Sequence, residues 1–266
     1  MTIDKNAVKE SNMLIPTDSI PDKMVISLAG RNKLYKHDLM MLEMIANCNW
    51  TRPLYVAITV GSENFMNLSN NFIQEGLVNR ITPFNTKISI NYDTEKTYNI
   101  VMNKFKWGGI SKHGIYLDDT VRKMCYTHRR ELATLALNLI AEGKKEKAIK
   151  VLAKAEKEIP AYNIPMNFMS GAGDIALAYA QVGQKAKALK IYNKLWLDAR
   201  QYLRYYLSLT GNNFQMTANS ALMNIQIMNN LIYTSITKID KKWANSHVKE
   251  LNQVVNEYKA RGGRLD

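Results

Sequence analysis

A chain of 266 residues with 46% apolar and 22% charged residues has the balance of a folded protein long enough for two modules, which excludes an intrinsically disordered chain. No eighteen apolar residues run together, and residues 1–21, with Asp4, Lys5, Lys9, Glu10 and Asp18, lack the apolar stretch of a signal peptide, so a soluble chain without an export address is expected. The net charge of +13 is uneven: residues 1–115 carry 13 basic and 10 acidic groups and residues 116–266 carry 23 and 13, which brings an anionic partner into consideration.

In chain order, residues 24–28 and 54–60 are short apolar runs with β-branched residues and read as strands. Between them, residues 38–47 show helical spacing at Leu39, Leu42, Ile45 and Ala46. A helix over 63–73 and a strand over 77–83 extend this strand–helix–strand unit into a small sheet with helices packed on it, an α/β module over residues 1–115. Ser62 follows Gly61 at a strand end and is placed to cap the 63–73 helix. Neither GxGxxG nor GxxxxGK with a following Ser or Thr is present, so it reads as an ordinary N-cap rather than an anion site. Residues 103–109 (NKFKWGG) end a helix with two glycines, and Asp118 or Asp119 starts a long helix.

No catalytic constellation is encoded. His37, His113, His128 and His247 are scattered without ligand spacing, and no GxSxG occurs. Asp93-Thr94-Glu95 is a loose echo of a metal-binding DxD and reads as a turn in a polar loop. Cys48 and Cys125 form no CxxC or Cys/His cluster and read as unpaired structural thiols. The expectation is a protein that is not an enzyme and carries no metal and no cofactor.

From about residue 120 onward the chain repeats itself. Aligning Gly143 with Gly183 sets an offset of 40 residues. In the first copy, residues 129–160, Ala136 lies where two helices approach, Gly143 marks the turn, Ala148, Leu152 and Ala155 line the second helix, and Pro160 ends it. In the second copy Ala176, Tyr179, Gly183, Ala188, Tyr192 and Leu195 take the same slots, with Arg200 in place of the proline. Both copies resemble the 34-residue tetratricopeptide repeat, lengthened by about six residues around 161–167, including Pro165. Small residues let antiparallel helices pack closely, and each hairpin leaves an apolar face for its neighbour to cover. A third, capping pair is therefore expected over 216–238 and 241–260, with Asp240 as N-cap and Ala244, Val248, Leu251 and Val254 as its inner face. The fold class is mainly α: a small N-terminal α/β module followed by tetratricopeptide-type helical hairpins over 116–266, an α-α superhelix.

The tetratricopeptide resemblance implies a peptide partner held on the first helices, but the polar clamp for a C-terminal carboxylate is missing. The matching slots are Arg130, Ala133, Thr134, Leu137 and Ile140, then Ser170, Gly173, Asp174, Leu177 and Ala180. On the second helices Lys147, Lys150 and Lys154 share one face, and Lys187, Lys190 and Lys194 repeat them 40 residues on. These six form a basic stripe on the outside of the array: either a solvated face or a contact for an anionic membrane surface. No aromatic residues are interleaved with them, which argues against nucleic acid.

The stretch 36–76, above all NWTRPLYVAITVGSENF (49–65), together with MNKFKWGGI (102–110) and residues 116–122, resembles a bacterial family of large multi-spanning membrane proteins of unknown function. Their membrane part is similar to protein O-mannosyltransferases, and their soluble C-terminal region ends in tetratricopeptide repeats. The resemblance implies a periplasmic, extramembrane domain, with the membrane part that would hold a transfer site absent from this sequence. The leading expectation is a noncatalytic interaction or scaffolding domain with a protein or peptide partner. The alternative is a glycosyltransferase accessory domain that binds acceptor or glycan through an open aromatic cleft, for which Trp50, Trp107, Trp196 and Trp243 are the large candidates.

Overall fold

The computed structural model describes residues 1–15, 20–86 and 91–265, and the chain divides into two compact units, Met1–Phe105 and Lys106–Asp266. The fold is mainly helical with a small sheet-bearing N-terminal module, as expected.

In the first unit, α1 (Lys5–Glu10) starts at Asp4, whose carboxylate accepts from the Asn6 and Ala7 amides at 2.9 and 3.1 Å. In α2 (Lys36–Asn47) the inward face is Asp38, Met41 and Ile45, and Met41, Ile45 and Cys48 just past its end meet the hydrophobic cluster. Leu39, also at a helical spacing, points out and is 55% exposed. Asp38 is fully buried and satisfied by the Tyr35 amide at 2.9 Å and the Arg31 guanidinium at 3.1 Å.

Three expectations for this unit are corrected. Residues 24–28 form no strand: Met24 and Ile26 drop into the core singly, Val25 is 86% exposed, and the bridge beside them joins Thr2 to Lys23. Residues 63–73 form no long helix, although Phe65, Leu68 and Phe72 imitate one. Met66 and Asn67 take left-handed backbone (φ 49° and 61°), which breaks the chain into two 3₁₀ turns, Ser62–Asn64 and Leu68–Asn71. Ser62 therefore has no helix to cap. Asp93 is no loop turn either: its side chain accepts from the Lys96 amide at 2.9 Å and starts α3 (Thr94–Asn103).

The sheet is antiparallel, in the order β1 (Tyr55–Ala57), β3 (Val78–Ile81), β2 (Phe72–Glu75), so strands and helices do not alternate through it. β2 and β3 make a hairpin turned at Gly76 (φ 70°), in register Phe72 to Ile81. Glu75, 2% exposed, accepts from the Tyr55 hydroxyl at 2.9 Å, pairs with Lys96 at 2.7 Å and has Arg80 at 3.6 Å. Arg80 also donates to the carbonyls of Ser11 and Asn12, which fastens the end of α1 to the sheet.

The second unit is three antiparallel helical pairs: α4 (Asp119–Ala141) with α5 (Lys145–Glu158), α6 (Ala172–Gln181) with α7 (Lys185–Ser208), and α8 (Gly211–Thr234) with α9 (Lys241–Ala260). Asp118 caps α4 at the Val121 amide (2.8 Å) and Asp240 caps α9 at the Trp243 amide (2.9 Å), both as expected. The first two turns are built alike. Gly143 and Gly183 sit at φ 77° and 88°, and the next amides, Lys144 and Gln184, each reach back to the fifth preceding carbonyl, Leu139 and Tyr179, at 2.8 Å. That is a Schellman closure, which needs a residue tolerant of left-handed backbone. Ala136, Ala176, Ala148 and Ala188 are fully buried where the helices cross. Pro160 follows the end of α5 after 14 residues, whereas α7, with Arg200 in the equivalent slot, runs on for 24. The third pair begins earlier than its spacing suggests, at Gly211, and is joined by a single π turn, Ser235–Ile239, in place of a glycine turn.

Candidate interaction surface

The residues between α5 and α6 do more than lengthen a link. Arg129 of α4, 1% exposed, sends its guanidinium into this segment and donates to the carbonyls of Ile159 (3.0 Å), Ile164 (2.6 Å) and Pro165 (3.2 Å). No carboxylate neutralises it among the described residues, and burial pulls its pKa down to about 10. On the other side Asn163 donates to the Ile110 and Lys112 carbonyls at 2.7 Å, and Tyr162 stacks on His113 at 4.0 Å. The glycine-rich stretch before α4 therefore buttresses the loop from outside.

Held in this way, the loop forms a wall over α7 and leaves two clefts. One, of about 620 Å³, lies between α5, the loop and α7. Its floor is apolar, with Ala155, Ile159, Ile175 and Ile191, and its rim is basic, with Lys187, Lys190 and Lys194. Among the described residues Glu156 is the one carboxylate in its lining; it pairs with Lys187 at 2.7 Å and accepts from the Tyr179 hydroxyl at 3.3 Å. Lys187 also lies 5.1 Å over the Tyr179 ring, and burial, followed by the Glu156 charge, pushes the Tyr179 phenol well above its ordinary pKa. The second cleft, about 740 Å³, shares Pro165, Met166 and Lys194 with the first and continues between the loop, α7 and α8. Phe168, Met169, Tyr202, Tyr205 and Met223 line it, each between 41% and 60% exposed.

The structure places the sequence-derived residues as follows. Lys187, Lys190 and Lys194 meet on the rim of the first cleft, and Lys194 also pairs with Asp198. Lys147, Lys150 and Lys154 lie on α5 and line neither cleft. Of the first-helix slots, Thr134 and Asp174 are exposed, while Leu137, Ile140, Leu177 and Ala180 are half-buried. Trp50 and Trp196 are buried, Trp107 packs edge-on against His128, and Trp243 stacks on His247 at 4.1 Å; no tryptophan lines either cleft. Cys48 and Cys125 are free, and burial pushes the Cys125 thiol up. Among the described residues no group of three His, Cys, Asp or Glu is placed to hold a metal ion, and no helix is long and apolar enough to cross a membrane.

Sequence reasoning missed Arg129, Glu156, Tyr162, Tyr202 and Tyr205. One signal was readable: in residues 201–207 (QYLRYYL), Leu203 and Leu207 take the inward face of α7 and leave Tyr202 and Tyr205 outside.

Residues 1–101 match the family described as TMEM260-associated domain 2, so this stretch is similar to a domain associated with a membrane protein. No curated protein and no solved structure matches the chain.

Proposed function

We propose that this chain is a noncatalytic interaction module, an extramembrane accessory part of a membrane protein, whose tetratricopeptide-type hairpins hold an extended protein segment along α7. The observation that carries the reading is the pair of adjoining clefts with exposed Tyr202, Tyr205, Phe168 and Met169, since monomers seldom leave contiguous apolar and aromatic surface without a use. Tyrosine and methionine suit such a surface: tyrosine adds area at little entropic cost, and methionine adapts to irregular partners. The likeness of residues 1–101 to a membrane-protein-associated domain supports the context, and the sequence resemblance favours the periplasmic side. A glycan-binding role is less well supported, because the tryptophans that would stack on sugar rings stand away from both clefts.

The test is selection of peptides from a displayed random library on the immobilised 266-residue chain, followed by binding to Tyr202→Ala. The expected loss is about 1–2 kcal/mol, roughly tenfold in Kd. Selected peptides that bind the variant as tightly as the parent chain contradict the reading.

A further inference from the structure

We infer that the α5–α7 cleft recognises a carboxylate of the bound segment, and that Glu156 occupies that position until the segment arrives. The inference rests on the groove reading above and names the chemistry of one part of it.

Four cations, Arg129, Lys187, Lys190 and Lys194, line this cleft against one acid, Glu156, among the described residues; Lys187 is paired with Glu156 and Lys194 with Asp198 outside the cleft, which leaves Arg129 and Lys190 without a carboxylate partner there. The Arg129 Nε is buried without a hydrogen-bond partner, and among the described residues no carboxylate pairs with the guanidinium. An unneutralised cation under an apolar floor raises the local potential and favours an anion in the space above it. Glu156 shows which anion the cleft accepts: its carboxylate takes a hydrogen bond from the Tyr179 hydroxyl and the charge of Lys187, the two groups a visiting carboxylate needs. That internal pair is easily exchanged. The Glu156 and Lys187 side chains are 59% and 48% exposed, and exposed pairs of this kind add little to stability.

The ligand we assign is an acidic peptide segment with an aromatic or apolar neighbour. Its carboxylate takes the Glu156 place beside Lys187 and the Tyr179 hydroxyl, with Lys190 next on the rim, its neighbouring side chain rests on Met166 and Ile191, and its continuation passes Lys194 toward Tyr202 and Tyr205. A bilayer fits less well, because these lysines rim a concavity partly walled by the 160–166 loop and a flat surface does not reach its floor.

The experiment is fluorescence anisotropy of a labelled peptide of alternating aspartate and tyrosine against the 266-residue chain, with a lysine–tyrosine peptide and phosphatidylserine vesicles as the other arms. The acidic peptide binds at least roughly tenfold more tightly than the basic one, Lys190→Glu removes roughly that factor, and Glu156→Gln tightens binding severalfold by emptying the position. Equal binding of the two peptides, indifference to Lys190→Glu, or weaker binding in Glu156→Gln overturns the inference, as does Lys190-dependent capture of the vesicles without binding of the acidic peptide. If Tyr202→Ala weakens both peptides while Lys190→Glu weakens neither, the carboxylate site falls and the groove stands. If neither variant matters, both fall.

Discussion

Arg129 and Ile164 are joined 35 positions apart by a hydrogen bond of 2.6 Å from guanidinium to backbone carbonyl, inside the second unit. The guanidinium fork serves three carbonyls that have left helix α5 and not yet entered α6, and so fixes the connecting loop from the side. Arg129→Met leaves the Ile159 and Ile164 carbonyls buried and unpaired, with an expected loss of about 3 kcal/mol. Arg129→Lys is nearly as costly, because an ammonium cannot span the three positions. Urea unfolding of both variants checks this, and a midpoint unchanged from the parent chain in Arg129→Met contradicts it.

Gly171 and Gly143 both have left-handed backbone, at φ 74° and 77°, but differ in surroundings. A Cβ on Gly171 lies 2.7 Å from Arg130 Cγ and 3.0 Å from its Cα, whereas one on Gly143 meets nothing within 4 Å. Gly143→Ala is therefore expected to cost only the backbone strain, about 1 kcal/mol, and Gly171→Ala more, because α4 must shift. Thermal unfolding of the pair gives the order, and a smaller loss for Gly171→Ala is the contrary result.

Tyr192, 2% exposed between the second and third helical pairs, has its phenol raised to about 12, chiefly by burial. The folded state thus holds the proton more tightly than the unfolded chain, whose tyrosines ionise near pH 10. Its contribution is complete below about pH 10 and is lost as the pH rises toward about 12. Urea midpoints at about pH 9 and about pH 11.5 are expected to fall further for the parent chain than for Tyr192→Phe. Equal falls contradict the assignment.

In the first unit Glu75 is held by Lys96, Tyr55 and Arg80. Glu75→Ala strands the buried Arg80 guanidinium beside β3, at an expected cost of about 3 kcal/mol, while Lys96→Ala, at a more open position, costs less. A double-mutant cycle on Glu75 and Arg80 should show coupling above about 1 kcal/mol, and additive losses sink the network.

The helical unit was legible because Gly143, Gly183 and the alanines at 136, 148, 176 and 188 are local signals at fixed spacing, and a turn glycine or a helix crossing imposes the same demand wherever it occurs. The first unit was less legible. Phe65, Leu68 and Phe72 carry a helical period that two left-handed residues, Met66 and Asn67, cancel, and nothing in a side-chain pattern announces that break. The clefts were not legible at all. They exist because Arg129 draws in the loop over α7, so Lys187, Lys190 and Lys194 rim the first cleft, while their counterparts at 147, 150 and 154 line neither of the two.

The most direct test of the groove replaces Tyr202 with a photo-crosslinking benzoylphenylalanine and, as a control, replaces Tyr233, which is 70% exposed on α8 and lines neither cleft. The account predicts that a library-selected peptide crosslinks from position 202 and not from 233, and that unlabelled peptide competes the signal away. Crosslinking that is equal from both positions, or absent from 202 while the peptide remains bound, contradicts it.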